Sequence, residues 1–168
     1  MAGFVIHRQL LIDAYHLGRL PLCHVLLHRN ASLPWFILVP ETRITDLLDL
    51  TGDLRSTALS EASRISGFVK QYFEYPRINF AAIGNVVAQL HLHVVGRKPG
   101  DPCWPAPVWG HLRETREYPA VEVLRLREKL QVYLGGDFIL SRQEAPAPQL
   151  TGRNQRRGDK DFNQGGEQ

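Results

Sequence analysis

The sequence predicts an α+β domain built on a mostly antiparallel sheet of about five strands with two main helices. Strand signals arrive in consecutive pairs rather than alternating with helices, only two stretches carry strong helical periodicity, and the turn residues fall between the apolar runs. Hydrophobic residues make up 43% of the 168-residue chain, which is enough for one buried core. That composition excludes wholesale disorder and fibrous repeats.

Residues 8 to 17 are the first helical candidate. Leu22 to His28 and Trp35 to Val39, closed by Pro40, read as two strands joined by the short polar loop Arg29-Asn30-Ala31-Ser32, hence an antiparallel hairpin. The clearest helical stripe follows: Leu54, Ala58, Ala62, Ile65, Val69 and Tyr72 recur at spacings of three and four. Thr51 or Asp53 caps its start and Pro76 ends it.

Arg77 to Ala82 and Ala88 to Val95 read as a second strand pair that turns at Gly84-Asn85, where glycine supplies unusual backbone angles. The second main helix opens near Pro119, runs through Val123, Leu126, Leu130 and Tyr133, and stops at Gly135-Gly136. From Pro146 onward the chain turns polar and rich in Gly and Pro. Arg153, Arg156, Arg157 and Lys160 there are diluted by Asp159, Asp161 and Glu167, so 146–168 is expected to be a disordered tail on a domain spanning 1–145.

The formal net charge of +3 is small despite a pI near 9.1, and nucleic-acid binding is not the reading it favours. Cys23 and Cys103 lie far apart in no Cys-x-x-Cys spacing, and no run of about 18 apolar residues could span a membrane. A soluble protein of a reducing cytoplasm is expected.

The most informative segment is Gly84-Asn85-Val86-Val87-Ala88-Gln89-Leu90-His91-Leu92-His93-Val94-Val95. On a strand, Gln89, His91 and His93 share one face while Leu90, Leu92 and Val94 share the other. Three readings of the histidine pair stand open: half-exposed edge residues, a divalent metal site needing further ligands, and phosphorus chemistry in which one imidazole attacks phosphate while backbone N–H groups near Gly84 and Asn85 hold its oxygens.

This segment resembles the signature of the histidine triad (HIT) hydrolases and transferases, His-x-His-x-His followed by two apolar residues. Here the matching positions read Gln89-Leu90-His91-Leu92-His93-Val94-Val95. Asn79 and Gly84 before the signature, the strand end Ile37-Leu38-Val39-Pro40, and Trp104-Pro105 after it extend the resemblance over about residues 4 to 110. It is most similar to a bacterial branch with Gln-Leu-His-x-His, often described as diadenosine-tetraphosphate-hydrolase-like.

The resemblance implies a HIT-like fold, a homodimer, no cofactor or resident metal, and a two-step nucleotidyl transfer. His91 would attack the α-phosphorus of a dinucleoside polyphosphate or nucleoside phosphoramidate, and water would hydrolyse the nucleotidyl-histidine. It implies that His93 fixes the tautomer of His91 and contacts phosphate oxygens, that Gly84, Asn85 and Val86 hold the phosphate, and that Asn79 bonds substrate or braces the loop. His28, Arg29 and Asn30 lie where the family grips ribose and base, and Trp104 or Trp109 lines a pocket or interface. Gln89 replaces a histidine and cannot shuttle protons. The branch's Asn-Asp is here Arg29-Asn30, which favours a more anionic ligand, and Val86 stands where many relatives have a hydroxyl. A nucleotide sensor without turnover and a metal-dependent hydrolase are the alternatives.

Overall fold

The computed structural model describes residues 3–142. In chain order the elements are α1 (Arg8–Asp13), β1 (Ala14–Arg19), β2 (Cys23–His28), β3 (Trp35–Pro40), α2 (Gly52–Tyr72), β4 (Arg77–Ala82), β5 (Leu92–Arg97), α3 (Ala120–Leu134) and β6 (Ile139–Leu140). The six strands form one antiparallel sheet in the order β4-β5-β3-β2-β1-β6. The α+β class is as expected. The expected tail from Pro146 lies outside the described residues.

Both predicted hairpins form. The first pairs Cys23 with Pro40 through Leu27 with Phe36, and the second pairs Arg77 with Arg97 through Ala82 with Leu92. The second differs in its connection. Instead of a tight turn at Gly84-Asn85, residues 83–91 form one long loop, and among the described residues the positive-φ glycines are Gly100, Gly110 and Gly135. The ladder ends where Ala82 meets Leu92, so the strand expected to begin at Ala88 begins at Leu92.

Residues 8 to 17 are only a third, weaker helical candidate beside the two main helices. Only Arg8–Asp13 are helical, because β1 from Ala14 onward exchanges ladder hydrogen bonds with β2 and buries Leu17 completely. The sheet gains its sixth strand the same way, β6 pairing with Gly18 and Arg19.

Helix α2 runs over 21 residues, with Asp53 in its first turn complementing the helix dipole. Its stripe, Ala58, Ala62, Ile65, Phe68 and Val69, packs with α3 residues Val123, Leu126 and Leu130 on one sheet face, against Leu17, Val25, Phe36, Leu38, Leu92 and Val94. Each such buried aliphatic side chain contributes roughly 1.5–3 kcal/mol of transfer free energy. Glu61 of α2 is buried as well, accepting the backbone N–H groups of Leu22 (2.9 Å) and Cys23 (2.8 Å) and so fixing the start of β2.

The opposite face carries a second cluster of Leu10, Leu26, Trp35, Ile37, Val39, Val87, Val95 and Val108. Alternation along β5 therefore sends Leu92 and Val94 toward the helices and His93 and Val95 to the other side. Close approach of α2 to β5 needs Gly96: a Cβ there would fall 2.8 Å from Pro34 Cγ and 2.8 Å from Val69 Cγ1.

Candidate active site

His93 sits in β5 opposite Ile37 of β3 and Ala81 of β4, so two hydrogen-bonded neighbours fix its backbone. Its imidazole is walled by aromatic rings. Trp35 and Trp109 both meet it edge-on, at centroid distances of 5.6 and 5.5 Å, and His28 stacks on Trp35 at 4.3 Å. Trp35 Nε1–H donates to His93 Nδ1 at 3.0 Å. An indole N–H only donates, so Nδ1 is the acceptor and neutral His93 carries its proton on Nε2. Burial, with the neighbouring His91 and His28, pushes the His93 pKa down to about 3. His93 is thus a neutral donor near pH 7 rather than a base or a cation.

His91 precedes the strand, 6% exposed, and its ring meets that of His93 edge to face at 4.9 Å. Its Nδ1 lies 2.7 Å from the backbone oxygen of Gln89. A carbonyl only accepts, so this bond places the proton on Nδ1 and leaves the Nε2 lone pair for a reaction. The resemblance implies that His93 fixes this tautomer; in the structure it is the Gln89 carbonyl that contacts His91 Nδ1, because residues 89–91 lie outside the ladder and this carbonyl is not used in pairing.

Gln89 does not share a strand face with the histidines. Its side chain is clamped to the N-terminal segment, Oε1 accepting from His7 N at 2.8 Å and Nε2 donating to Val5 O at 3.0 Å. His91 lines a cavity of about 500 Å³ together with Gly84, Asn85, Thr45, Asp46 and Ala88. Of the three residues expected around the phosphate, Gly84 and Asn85 border this space, whereas Val86 is 92% exposed and does not line it.

Asn79 lies outside that cavity and accepts from Arg97 Nη1 at 2.6 Å. Arg97 is buried, bound to Asp101 by Nε (2.7 Å) and Nη2 (3.1 Å) and to Ala106 O at 2.8 Å, which ties the segment after β5 to the sheet. Burial works against the Asp101 carboxylate, yet hydrogen bonds from Arg97 and from the Lys98 and Cys103 backbone hold its pKa below the ordinary value. Trp104 stacks over this guanidinium at 5.8 Å; Trp109, not Trp104, reaches His93.

The first-hairpin residues border a separate cavity of about 280 Å³, with His28, Arg29 and Asn30 facing Ile12, Asp13 and Arg116. Burial lowers the His28 pKa. Arg29 is committed to Ile12 O and the Tyr15 ring, and Asn30 bridges to Glu114 O and Arg116 N. Sequence reasoning did not single out Trp35 or the Arg97–Asp101 pair. A Trp opening an apolar strand and an Arg four residues before an Asp were the available signals. Among the described residues, no group of three or more His, Cys, Asp or Glu is placed to hold a metal ion.

A profile of the HIT domain matches residues 9–100. The chain belongs to the HIT domain family. Solved HIT structures agree. A histidine triad protein from Bradyrhizobium japonicum is 33% identical with a TM-score of 0.74, covering 80% of this chain and all (100%) of that one. One from Marinobacter aquaeolei is 37% identical (TM-score 0.73, 79% and 97% covered), and one from Sinorhizobium meliloti 32% (0.73, 77% and 96%). Among curated proteins no match was found. HIT proteins are typically nucleotide hydrolases or transferases, so this HIT chain falls in a nucleotide-binding superfamily. No helix among the described residues is long and apolar enough to cross a membrane.

Proposed function

We propose that this HIT protein belongs to the bacterial Gln-Leu-His-x-His branch resembling diadenosine tetraphosphate hydrolases, and that it cleaves nucleoside phosphate conjugates at the α-phosphorus, the candidates being dinucleoside polyphosphates and nucleoside phosphoramidates. The observation that carries this reading is the 2.7 Å bond from His91 Nδ1 to the Gln89 carbonyl, which leaves Nε2 as the nucleophilic nitrogen of a side chain lining the cavity.

In the first step the Nε2 lone pair forms an N–P bond while the bond from phosphorus to the leaving group breaks and its electron pair departs with that group, a phosphate leaving as an anion and an amine taking a proton from solvent as it leaves. Water then attacks phosphorus, the N–P pair returns to Nε2, and the water proton passes to solvent. His93 supports the negative oxygens through its Nε2–H, and backbone N–H groups around Gly84 and Asn85 cradle them. Val86 flanks that cradle, Asn79 braces the 101–106 segment through Arg97, and His28, Arg29 and Asn30 take the nucleoside. Trp104, part of that segment, faces the Arg97 guanidinium.

The test is incubation with diadenosine tetraphosphate and adenosine 5′-phosphoramidate, followed by rapid quench and mass spectrometry for a nucleotidyl group on His91. Full turnover by His91→Ala would exclude the mechanism. Binding without turnover is the competing reading, favoured by Gln89, whose amide is spent on the N-terminal segment; tight nucleotide binding with no product burst would support it.

A homodimer and a cytoplasmic location belong to the same proposal. Edge strand β4 exposes Phe80 (42%) beside an apolar hollow of about 210 Å³ formed by Leu59, Ala62, Ile78 and Val94, and a second copy would cover it by pairing β4 with its own β4 across a two-fold axis. Sedimentation of the protein and of Phe80→Asp checks this: dimer for the first, monomer for the second. Two free cysteines suit a reducing compartment.

A further inference from the structure

A second cavity, of about 600 Å³, adjoins the His91 cavity. It is lined by Phe4, Val5, Glu41, Arg43, Thr45 and Gln89, among others, and Thr45 lines both spaces. Its outer wall is the N-terminal segment, held by the two hydrogen bonds of the Gln89 amide, and Phe4 is backed by the His24 ring stacked at 5.4 Å. A group bonded to phosphorus at His91 and extending past Thr45 would enter this cavity.

The charges bordering it are unequal in availability. Glu41 is occupied by His24 Nε2 at 3.1 Å and by Arg19 at 4.0 Å, and Asp46, on the neighbouring cavity, accepts from Leu48 N at 2.8 Å. Arg43 is exposed and makes no hydrogen bond, ion pair or ring contact among the described residues, whereas Arg19, Arg29, Arg55, Arg64 and Arg97 are all engaged. Arg43 is therefore the one lysine or arginine in the lining of this cavity, and its guanidinium is open to a ligand.

The chemistry of departure points the same way. An amine leaving group needs a proton, and the Gln89 amide has none to exchange near neutral pH. A phosphate leaving group departs as an anion, taking the P–O electron pair and needing no proton. We propose that this second cavity is a subsite for an anionic, phosphate-bearing leaving group, with Arg43 as its cation and Phe4 and Val5 of the Gln89-clamped N-terminal segment as its wall. The inference rests on the nucleotidyl-transfer reading above.

The experiment compares kcat/KM for diadenosine tetraphosphate and adenosine 5′-phosphoramidate in the natural protein and in Arg43→Glu. The expected result is a preference for the tetraphosphate that collapses in Arg43→Glu by about tenfold, the scale of one charge-assisted phosphate contact. An equal effect of the substitution on both substrates, no effect on either, or a natural preference for the phosphoramidate overturns the subsite while leaving the transfer reading intact. Absence of turnover and of nucleotidyl-His91 with both substrates in the natural protein sinks the transfer reading itself, before any variant is made.

Discussion

Trp35 and His93 are joined by a 3.0 Å hydrogen bond from indole Nε1–H to imidazole Nδ1, across adjacent strands β3 and β5. The bond decides which nitrogen of His93 holds the proton. Trp35→Phe keeps most of the ring area but removes the donor, so His93 is free to take either tautomer. Turnover of diadenosine tetraphosphate is expected to fall about tenfold, matching one buried hydrogen bond of ~1.4 kcal/mol. Nitrogen-15 imidazole spectra check the cause: a protonated Nε2 in the natural protein, mixed tautomers in the variant.

Stability is expected to fall as acid is added. The His93 pKa is pushed down to about 3 and that of His16 to about 4, in both cases first by burial, so each is neutral in the folded state where an unfolded histidine near 6.5 is already protonated. Between pH 6.5 and 4 the unfolded chain binds more protons, and unfolding free energy drops with a slope of about 1.4 kcal/mol per pH unit for each group. Above pH 6.5 this contribution is complete. Urea titrations across the range measure it, and His93→Gln should reduce the slope by about one proton.

Removing Asp101 leaves the buried Arg97 guanidinium without its carboxylate. Asp101→Ala is expected to cost about 3–5 kcal/mol, the usual penalty for breaking a buried pair from one side. Asn79→Ala, which removes a single neutral acceptor from the same guanidinium, should cost less, about 1–3 kcal/mol. Denaturant midpoints for the two variants order them, and a smaller loss in Asp101→Ala than in Asn79→Ala would contradict the assignment.

Gly96 lies in the histidine strand beneath α2, where an added Cβ would fall 2.8 Å from Pro34 Cγ and from Val69 Cγ1 and 3.0 Å from Tyr75 Cβ. Gly96→Ala is expected to destabilise by about 1–3 kcal/mol through overpacking. Because the displaced strand carries His93, activity should fall even at temperatures where the variant is fully folded, as judged by circular dichroism.

The two long helices and four of the strands were readable because their apolar positions repeat at the helical or strand period, as in Ala58, Ala62, Ile65 and Val69. β1 was not. Its Tyr15-His16-Leu17-Gly18 run has no alternation strong enough to outweigh the helical signal before it, and it becomes a strand only because β2 lies beside it. β6, two residues long, carries no period at all.

At the site, the sequence placed His91 and His93 as neighbours, and the structure brings their rings to 4.9 Å. It did not disclose that Gln89 would turn its amide to His7 and Val5, more than 80 residues earlier. Nor did it show that a tryptophan 58 residues away would set the tautomer of His93. Those are long-range hydrogen bonds, and local periodicity contains no trace of them.

The pairing of β6 with β1 joins the beginning of the described fold to its end. Gly18 is what permits it, since a Cβ there would run into Ile139 O and the Phe138 ring. During synthesis β1 emerges early, yet one edge of it stays unpaired until residues 139 and 140 arrive. A chain stopped short of Ile139 would present that edge as a template for a neighbouring molecule. The briefest strand of the sheet thus covers Gly18 and Arg19 and, at two residues, leaves only a short edge as a template in their place.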